Sequence, residues 1–415
     1  MAGSPPSYSS AASHLRWLAA CGPGLLVMLA DCDAGNVVTA AQSGVQWGYR
    51  LLPMLLALIP LLYMVQELTV RLGIFTGCGH GELVRAKLGP GWAWISAFGL
   101  SIAVLGSLVT EFTGIAGVGE MIGVSRSVSL PLALAVLVGV VFTGSHRRID
   151  RIAMVIGAFE LTFFVVAWRA HPELAQLSRA VADQPFHDPG FAYLIAALIG
   201  ATFNPWMIFY QQAAVVDRRL GPHDYTAARV ETAAGAVLTQ LLTAAVLVAA
   251  AATLSSSGAR HALESVGEIS AALSAVLGPR VGRVLFGVGV LGASMVAAIV
   301  CSMSLAWGLG EVAGYQRSLD TDTRRAPWFY AVYVVTVAFS AALVWLTPNL
   351  VSLNVAAQVV NALMLPLALG TLIALGATTL PRERRPRGVY LWVLVAMGTA
   401  VSLAAVAGAV FYFVA

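Results

Sequence analysis

An aspartate and an asparagine interrupt the first apolar stretch of this sequence. Its middle reads Asp-Cys-Asp-Ala-Gly-Asn over residues 31–36. A carboxylate at the centre of an apolar membrane helix is costly, so Asp33 requires a bound cation, a proton or an internal partner. Gly35 lets the backbone leave helical geometry, and the carbonyl oxygens freed by unwinding bind cations. The pattern therefore predicts a cation site at a broken helix.

A proline and an asparagine interrupt the sixth apolar stretch, where residues 200–206 read Gly-Ala-Thr-Phe-Asn-Pro-Trp. Pro205 has no N–H and opens the helix before it. The carbonyl of Ala201, four residues earlier, loses its usual partner and is expected to be a free oxygen close to Asn204. A simple proline kink, common in membrane helices, is the alternative interpretation. The pairing with the Asp33 break favours a binding site.

The two breaks together predict a set of oxygen ligands. Asp33 supplies a carboxylate, Asn36 and Asn204 supply amides, and Ala201 supplies a backbone carbonyl. Gln358, in the tenth apolar stretch, is expected either to reach this site as a ligand or gate or to bond another helix. Oxygen donors suit hard divalent cations such as Mg²⁺, Ca²⁺ and Mn²⁺.

Three further acids lie inside apolar stretches. Glu111 in the third and Glu160 in the fifth could relay protons or form structural pairs. Asp31 precedes Asp33 by two residues and so points to a different helix face, where it could line an entry path or a gate. The seven histidines fall in predicted loops or the N-terminal segment, and a histidine proton relay is therefore not predicted.

The elements that position these residues are predicted to be membrane-spanning helices. The chain has 415 residues, of which 59% are hydrophobic and only 11% are charged, whereas a soluble domain carries roughly 25% charged residues. A span needs about 20 mostly apolar residues. Eleven segments satisfy this: 15–47, 51–70, 92–122, 128–144, 152–168, 190–215, 230–254, 282–309, 328–346, 350–380 and 389–414.

Topology follows from the basic residues. Most of the 24 Lys and Arg residues fall on one side if the N-terminus is cytoplasmic and the C-terminus is outside, as the positive-inside rule requires. Breaks in the first and sixth segments match two inverted repeats. We therefore expect a disordered N-terminal segment at 1–14, a first five-helix repeat at 15–168, a second at 190–380 and an accessory eleventh helix at 389–414.

Several motifs resemble those of the NRAMP (natural resistance-associated macrophage protein) family. Gly-Pro-Gly at 22–24 followed by Asp-Ala-Gly-Asn at 33–36 is similar to its Gly-Pro-Gly…Asp-Pro-Gly-Asn signature. Residues 65–77 look like the end of its second span, and residues 200–206 resemble its Gly-Ala-Thr-x-Met-Pro-His motif. The motifs occur in the right order, and the likeness covers the first ten segments.

The resemblance implies a fold, an activity and a ligand set. The fold is an all-α, LeuT-like inverted repeat of 5+5 transmembrane helices plus one extra helix, with helices 1 and 6 broken. The activity is proton-linked uptake of divalent metals such as Mn²⁺ and Fe²⁺. The family's metal-binding Asp and Asn map onto Asp33 and Asn36, its carbonyl ligand onto Ala201, and a gating Gln onto Gln358.

The sequence departs from the family at four positions. Ala34 replaces the signature proline, Asn204 the metal-binding Met, Trp206 a His, and Leu108 the first of two acids, of which Glu111 remains. This pattern looks more like the NRAMP-related branch that includes magnesium transporters. An amide in place of a thioether removes the ligand that favours transition metals, and the missing His and acid lead us to expect weak or absent proton coupling.

These observations predict a divalent metal cation transporter, for Mg²⁺ or Mn²⁺ and other divalent ions, that works by alternating access. Any proton pathway or gate would involve Glu111, Trp206 and Asp31. The alternative is a LeuT-like, Na⁺-coupled carrier of amino acids or other small organic solutes, although an acid at the break favours a cation. Neither enzymatic activity, a cofactor nor a nucleic-acid partner is expected. The predicted partners are divalent metal ions and the lipid bilayer, and the predicted location is a bacterial inner (plasma) membrane.

Overall fold

The apolar stretches form helices in the computed structural model, which describes residues 22–142, 159–170, 180, 183–254, 263, 265–274, 278–315 and 326–414. Within these ranges no strand is present. The helices are α1 (Pro23–Asp31), α2 (Ala34–Trp47), α3 (Leu52–Thr76), α4 (His80–Lys87), α5 (Pro90–Met121), α6 (Arg126–Phe142), α7 (Thr162–Arg169), α8 (Pro189–Thr202), α9 (Pro205–Asp217), α10 (Tyr225–Leu254), α11 (Val266–Ser274), α12 (Pro279–Ala313), α13 (Pro327–Leu346), α14 (Leu350–Thr378) and α15 (Gly388–Val414).

The predicted all-α membrane fold is confirmed. Among the described residues, eight helices are long and apolar enough to cross a membrane when α8 and α9 count as one, and the bent pair α1–α2 makes a ninth. The fourth predicted segment corresponds to α6, which has 17 residues. Residues 152–158 of the fifth predicted segment and the whole N-terminal segment 1–14 lie outside the described residues.

One helix end and one connection differ most from the prediction. Helix α3 continues to Thr76 rather than ending at residue 70, because its polar residues find partners: Arg71 pairs with Glu67 at 2.5 Å between Nη2 and Oε2. The buried Glu67 also accepts a hydrogen bond from Tyr390 of α15 at 2.8 Å. The connection 255–281, predicted as a loop, contains the short helix α11.

The broken helices lie inside the bundle. Helix α2 packs against α5, α8, α10 and α14, while α8 packs against α14 and α15. Close approach depends on small residues: a Cβ on Gly44 of α2 would lie 2.3 Å from the carbonyl oxygen of Leu247 in α10. Such contacts between small residues are how membrane helices approach each other closely, and here they hold both breaks at the centre.

Candidate metal-binding site

The first break separates α1 from α2, whose axes differ by 46°. Cys32 and Asp33 have non-helical backbone angles, and Asp33 caps α2 by accepting from the backbone N–H of Asn36 at 2.8 Å. Glu111 of α5 accepts from the N–H of Ala34 at 3.3 Å. Two carboxyl groups thus meet at the amino end of α2, where the helix dipole favours negative charge.

The second break separates α8 from α9 at Phe203 and Asn204, and Pro205 is the first residue of α9. The expectation that the Ala201 carbonyl would be a free oxygen beside Asn204 is wrong. That carbonyl accepts a hydrogen bond from Nδ2 of Asn36 at 3.2 Å, because the Asn36 side chain reaches across from the first break.

Asn36 therefore ties the two broken helices together. Its Nδ2 also donates to the backbone carbonyl of Asp31 at 2.5 Å, and its Oδ1 accepts from Thr243 of α10 at 3.3 Å. A cation bound by the Ala201 carbonyl would compete with the amide N–H that now donates to it. The same residues can thus either close the break on themselves or hold an ion.

A chain of polar side chains continues from the second break to α14. Oγ of Ser107 donates to Oδ1 of Asn204 at 2.9 Å, and Nδ2 of Asn361 lies 3.1 Å from Ser107 Oγ and 3.0 Å from Oε1 of Gln358. Among the described residues, Asn204 Nδ2, Gln358 Nε2 and Asn361 Oδ1 have no partner. Buried polar atoms normally have one, so Asn361 retains an oxygen that can accept, whereas Asn204 and Gln358 retain N–H groups that can donate.

Gln358 lies where α14 crosses both breaks, and two glycines make room for it. A Cβ on Gly35 would lie 1.8 Å from Nε2 of Gln358, and a Cβ on Gly200 would lie 1.8 Å from its backbone carbonyl oxygen. No side chain fits at such distances. The glycines thus position the amide of Gln358 directly over the first break.

We expect Gly200→Ala to destabilise the protein and lower its transport rate, because the added methyl forces α8 away from α14. Overpacking of this kind typically costs about 1–3 kcal/mol, measurable as a lower thermal unfolding midpoint in detergent. Gly370→Ala in α14 is the matched control, since nothing lies within 4 Å of its Cβ position. Equal midpoints for the two variants would contradict the close-approach argument.

The structure brings most of the predicted site residues together. Asp33, Asn36, Ala201, Asn204 and Gln358 are all at most 2% exposed, and Glu111 adjoins them at the amino end of α2. Within the described residues, two predicted gate residues make no hydrogen bond to these ligands through their side chains. Trp206 is fully buried with Nε1 unpartnered, and Asp31 has both carboxylate oxygens unpartnered.

Sequence reasoning missed the polar residues that support the ligands. Ser107 bonds Asn204, Thr243 bonds Asn36, and Asn361 bonds Gln358. A signal existed on the tenth segment, because Asn354, Gln358 and Asn361 recur at helical spacing and so share one face. Ser107 and Thr243 are small polar residues of a kind that is common in membrane helices. Only the packing identifies them as partners of the ligands.

His80 was predicted in a loop, yet the structure buries it completely at the start of α4. Its Nδ1 lies 3.4 Å from Oε1 of Gln212 in α9, and its Nε2 lies 3.3 Å from Oγ1 of Thr371 in α14. Burial lowers the pKa of the imidazole to about 4, and the hydrogen bond to Gln212 partly opposes this. His80 is therefore neutral near pH 7 and joins the two helices.

We expect the free energy of unfolding to fall as pH drops from about 6.5 to about 4. Across that window the unfolded chain binds a proton at His80 while the folded chain does not, which favours unfolding. In His80→Gln, the thermal unfolding midpoint in detergent should change less with pH over this range than in the wild type. His223→Gln, at a side chain 83% exposed, is the control and should retain the wild-type slope. Equal slopes in the wild type and His80→Gln would contradict the assignment.

Paired helix breaks around a buried, oxygen-rich centre are typical of one class of protein, the helical membrane carriers. The chain belongs to the Nramp family, because the model of natural resistance-associated macrophage protein-like sequences matches residues 24–410. The family resemblance predicted from the sequence is thereby confirmed.

Curated relatives agree with the family assignment. The chain is 27% identical over 372 residues to the divalent metal cation transporter MntH of Deinococcus radiodurans, covering 85% of this chain and 80% of that protein. It is 29% identical over 395 residues to the divalent metal cation transporter MntH 1 of Pseudomonas aeruginosa, covering 87% and 84%.

Solved structures show the same fold. The manganese transporter of Eremococcus coleocola, in complex with an aromatic bis-isothiourea substituted compound, superposes with a TM-score of 0.73 at 17% identity, covering 97% of this chain and 87% of that one. A Na⁺-coupled sialic acid symporter superposes with a TM-score of 0.61 at 12% identity, covering 94% and 89%. Both likenesses show shared architecture alone.

Proposed function

We propose that the chain carries a divalent metal cation across the membrane, with Asp33, Asn36, Ala201, Asn204 and Gln358 as ligands. The observation that carries this proposal is the meeting of oxygen donors from two broken helices at one buried centre, beside a second acid, Glu111. The relatives named as divalent metal cation transporters support it. They favour a metal over an organic solute.

The ligand types support Mg²⁺ or Mn²⁺ as the substrate. Every proposed ligand has an oxygen donor available in its side chain or backbone, and Asn204 stands where the family motif has a thioether. Mg²⁺ dehydrates reluctantly and binds few protein oxygens, and Mn²⁺ also accepts carboxylate and carbonyl ligands. A partly hydrated hard cation therefore suits this site better than a soft one.

Binding and release follow from what the site residues now do. Asn36 closes the break by bonding the carbonyls of Asp31 and Ala201. An arriving cation takes the Ala201 carbonyl and the Asp33 carboxylate, and Asn36 turns its amide oxygen towards the ion. Asn36 also bonds Thr243 of α10. Replacing its hydrogen bonds by contact with the ion therefore changes how the broken helices pack against the rest of the bundle. Alternating access is the consequence.

A cavity of about 210 Å³ lies on one side of the site. It is lined by residues of α2, α8, α14 and α15, including Gln42, Tyr193, Val355 and Tyr412. Val355 is one helical turn before Gln358, so the cavity ends close to the amide that covers the first break. We assign it as the vestibule through which the ion approaches, with Gln358 as the gate.

Proton coupling through the family's positions is weak or absent in this proposal, since neither Trp206 nor Leu108 can accept a proton. Glu111 is the acid that remains of the family's pair. We assign Trp206 and Asp31 to the gate. The proposal also includes two five-helix repeats, at 15–168 and 190–380. It places the N-terminus in the cytoplasm and the C-terminus outside. The breaks in the first and sixth segments support the repeats.

Flux into proteoliposomes tests the function directly. We expect the purified chain to admit Mg²⁺ or Mn²⁺ faster than Ca²⁺, with little change in internal pH recorded at the same time. Radiolabelled amino acids should not enter under a Na⁺ gradient. Amino acid uptake without metal uptake would overturn the proposal in favour of an organic-solute carrier.

A further inference from the structure

A second pair of acids lies on another face of the first break. Asp31 ends α1 and Glu160 immediately precedes α7, and their side chains are 0% and 1% exposed. The Cys32 thiol lies against the Glu160 carboxyl group, and Glu160 is among the electrostatic neighbours of Asp31. The side chains of this pair therefore lie beside the site described above without joining its hydrogen-bond network, which reaches Asp31 only through its backbone carbonyl.

Four buried oxygen atoms around this pair have no hydrogen-bond partner in the described part of the chain. They are both carboxylate oxygens of Asp31, Oε2 of Glu160 and Oγ1 of Thr239. Thr239, on α10, is 2% exposed, and its hydroxyl interacts electrostatically with the Asp31 carboxylate without reaching hydrogen-bond geometry. Leaving a buried polar group unsatisfied is unfavourable, and more so for a charged one. Three separate elements thus direct unsatisfied oxygens into one place.

The charge around the break points to a cation there. None of the ion pairs among the described residues includes Asp31, Asp33, Glu111 or Glu160. If all four acids are ionised, they carry four negative charges, whereas one divalent ion supplies two positive charges. The carbonyl end of α1, at Asp31, adds a partial negative charge.

We propose that Asp31, Glu160 and Thr239 form a second divalent-cation site, next to the transport site. This inference rests on the proposed function and extends it. Carboxylate and hydroxyl oxygens are hard donors that suit a divalent ion, and two such ions would balance the four carboxylates. A monovalent ion would leave this pair with a net negative charge.

The second site has a mechanical and an electrostatic consequence. The backbone carbonyl of Asp31 accepts from Asn36, a ligand of the transport site, so the two positions share one hinge. Repulsion between ions in adjacent sites weakens the binding of each, as in pores that conduct through several sites. An ion at Asp31 therefore helps to expel the ion at Asp33.

Counting bound Mn²⁺ tests the second site. The purified full-length chain in detergent is titrated with Mn²⁺, and free Mn²⁺ is measured by electron paramagnetic resonance. We expect two ions per wild-type chain and one in Asp31→Asn and in Glu160→Gln. Thr239→Val, which keeps the side-chain shape, should still bind two, with the second Kd raised about tenfold, the equivalent of ~1.4 kcal/mol.

Glu311→Gln is the matched control, a buried acid on α12 that accepts from the N–H of Gly81 at 2.7 Å. It should retain two ions. A wild-type count of one, or a count of two in both acid variants, would overturn the inference, as would ²²Na⁺ bound at Asp31 in place of the second Mn²⁺. If the acid variants do not elute as folded protein, an unchanged second Kd in Thr239→Val overturns it. A wild type that binds no Mn²⁺ instead refutes the proposed function.

Discussion

Asp33→Ala is expected to reduce divalent metal uptake into proteoliposomes to the level of protein-free vesicles. The substitution removes the charged ligand at the first break, and the remaining amide and carbonyl oxygens cannot compensate a divalent charge in a buried site. Loss of an outer-shell partner alone typically costs 10–100-fold in metal affinity, and loss of a charged ligand should cost more. Isotope uptake and Mn²⁺ binding both measure this effect.

The variant also loses a helix cap, so a matched control is required. Asp33 caps α2 through the N–H of Asn36, and replacing an aspartate cap by alanine costs about 1 kcal/mol. Asp188 caps α8 in the same way, accepting from the N–H groups of Gly190 and Phe191. Asp188→Ala should therefore lose similar stability but retain uptake. Normal uptake by a folded Asp33→Ala protein would disprove the ligand assignment.

The sequence predicted both breaks because few residue types can cause them. Proline lacks the N–H that a helix needs, and an acid within an apolar stretch needs a partner that an unbroken helix does not provide. Pro205 and Asp33 therefore marked the break positions to within two residues. Helix existence was equally predictable, since each long apolar run can satisfy its backbone in a membrane only as a helix.

What lies across the breaks was not predictable from one sequence. The bond from Asn36 to the Ala201 carbonyl joins residues 165 positions apart, and no local pattern specifies it. His80 was assigned to a loop because it falls between the predicted segments 51–70 and 92–122, yet α9 and α14 contact it from both sides. Partners of this kind depend on tertiary packing, which periodicity does not report.

Asn204→Met is expected to shift the uptake preference from Mg²⁺ towards Mn²⁺ and Cd²⁺. A thioether is a softer ligand than an amide oxygen and favours transition metals over alkaline-earth ions. The fold should tolerate the change, because Asn204 makes no side-chain cap of α9 and its Nδ2 has no partner among the described residues. Competition between the ions in proteoliposomes measures the shift.

Ser107→Ala separates the gain of sulfur from the loss of a hydrogen bond. Asn204→Met removes the acceptor of the Ser107 hydroxyl, and that loss alone could disturb the site. Ser107→Ala breaks the same bond but leaves the amide oxygen, so it should alter uptake rates without changing the order of ion preference. A tenfold change in the Mn²⁺ to Mg²⁺ ratio, ~1.4 kcal/mol, in Asn204→Met alone would identify residue 204 as a ligand. An identical preference in both variants and the wild type would place residue 204 outside the ion's coordination shell. The preference for hard cations would then be set by Asp33 and the carbonyl of Ala201.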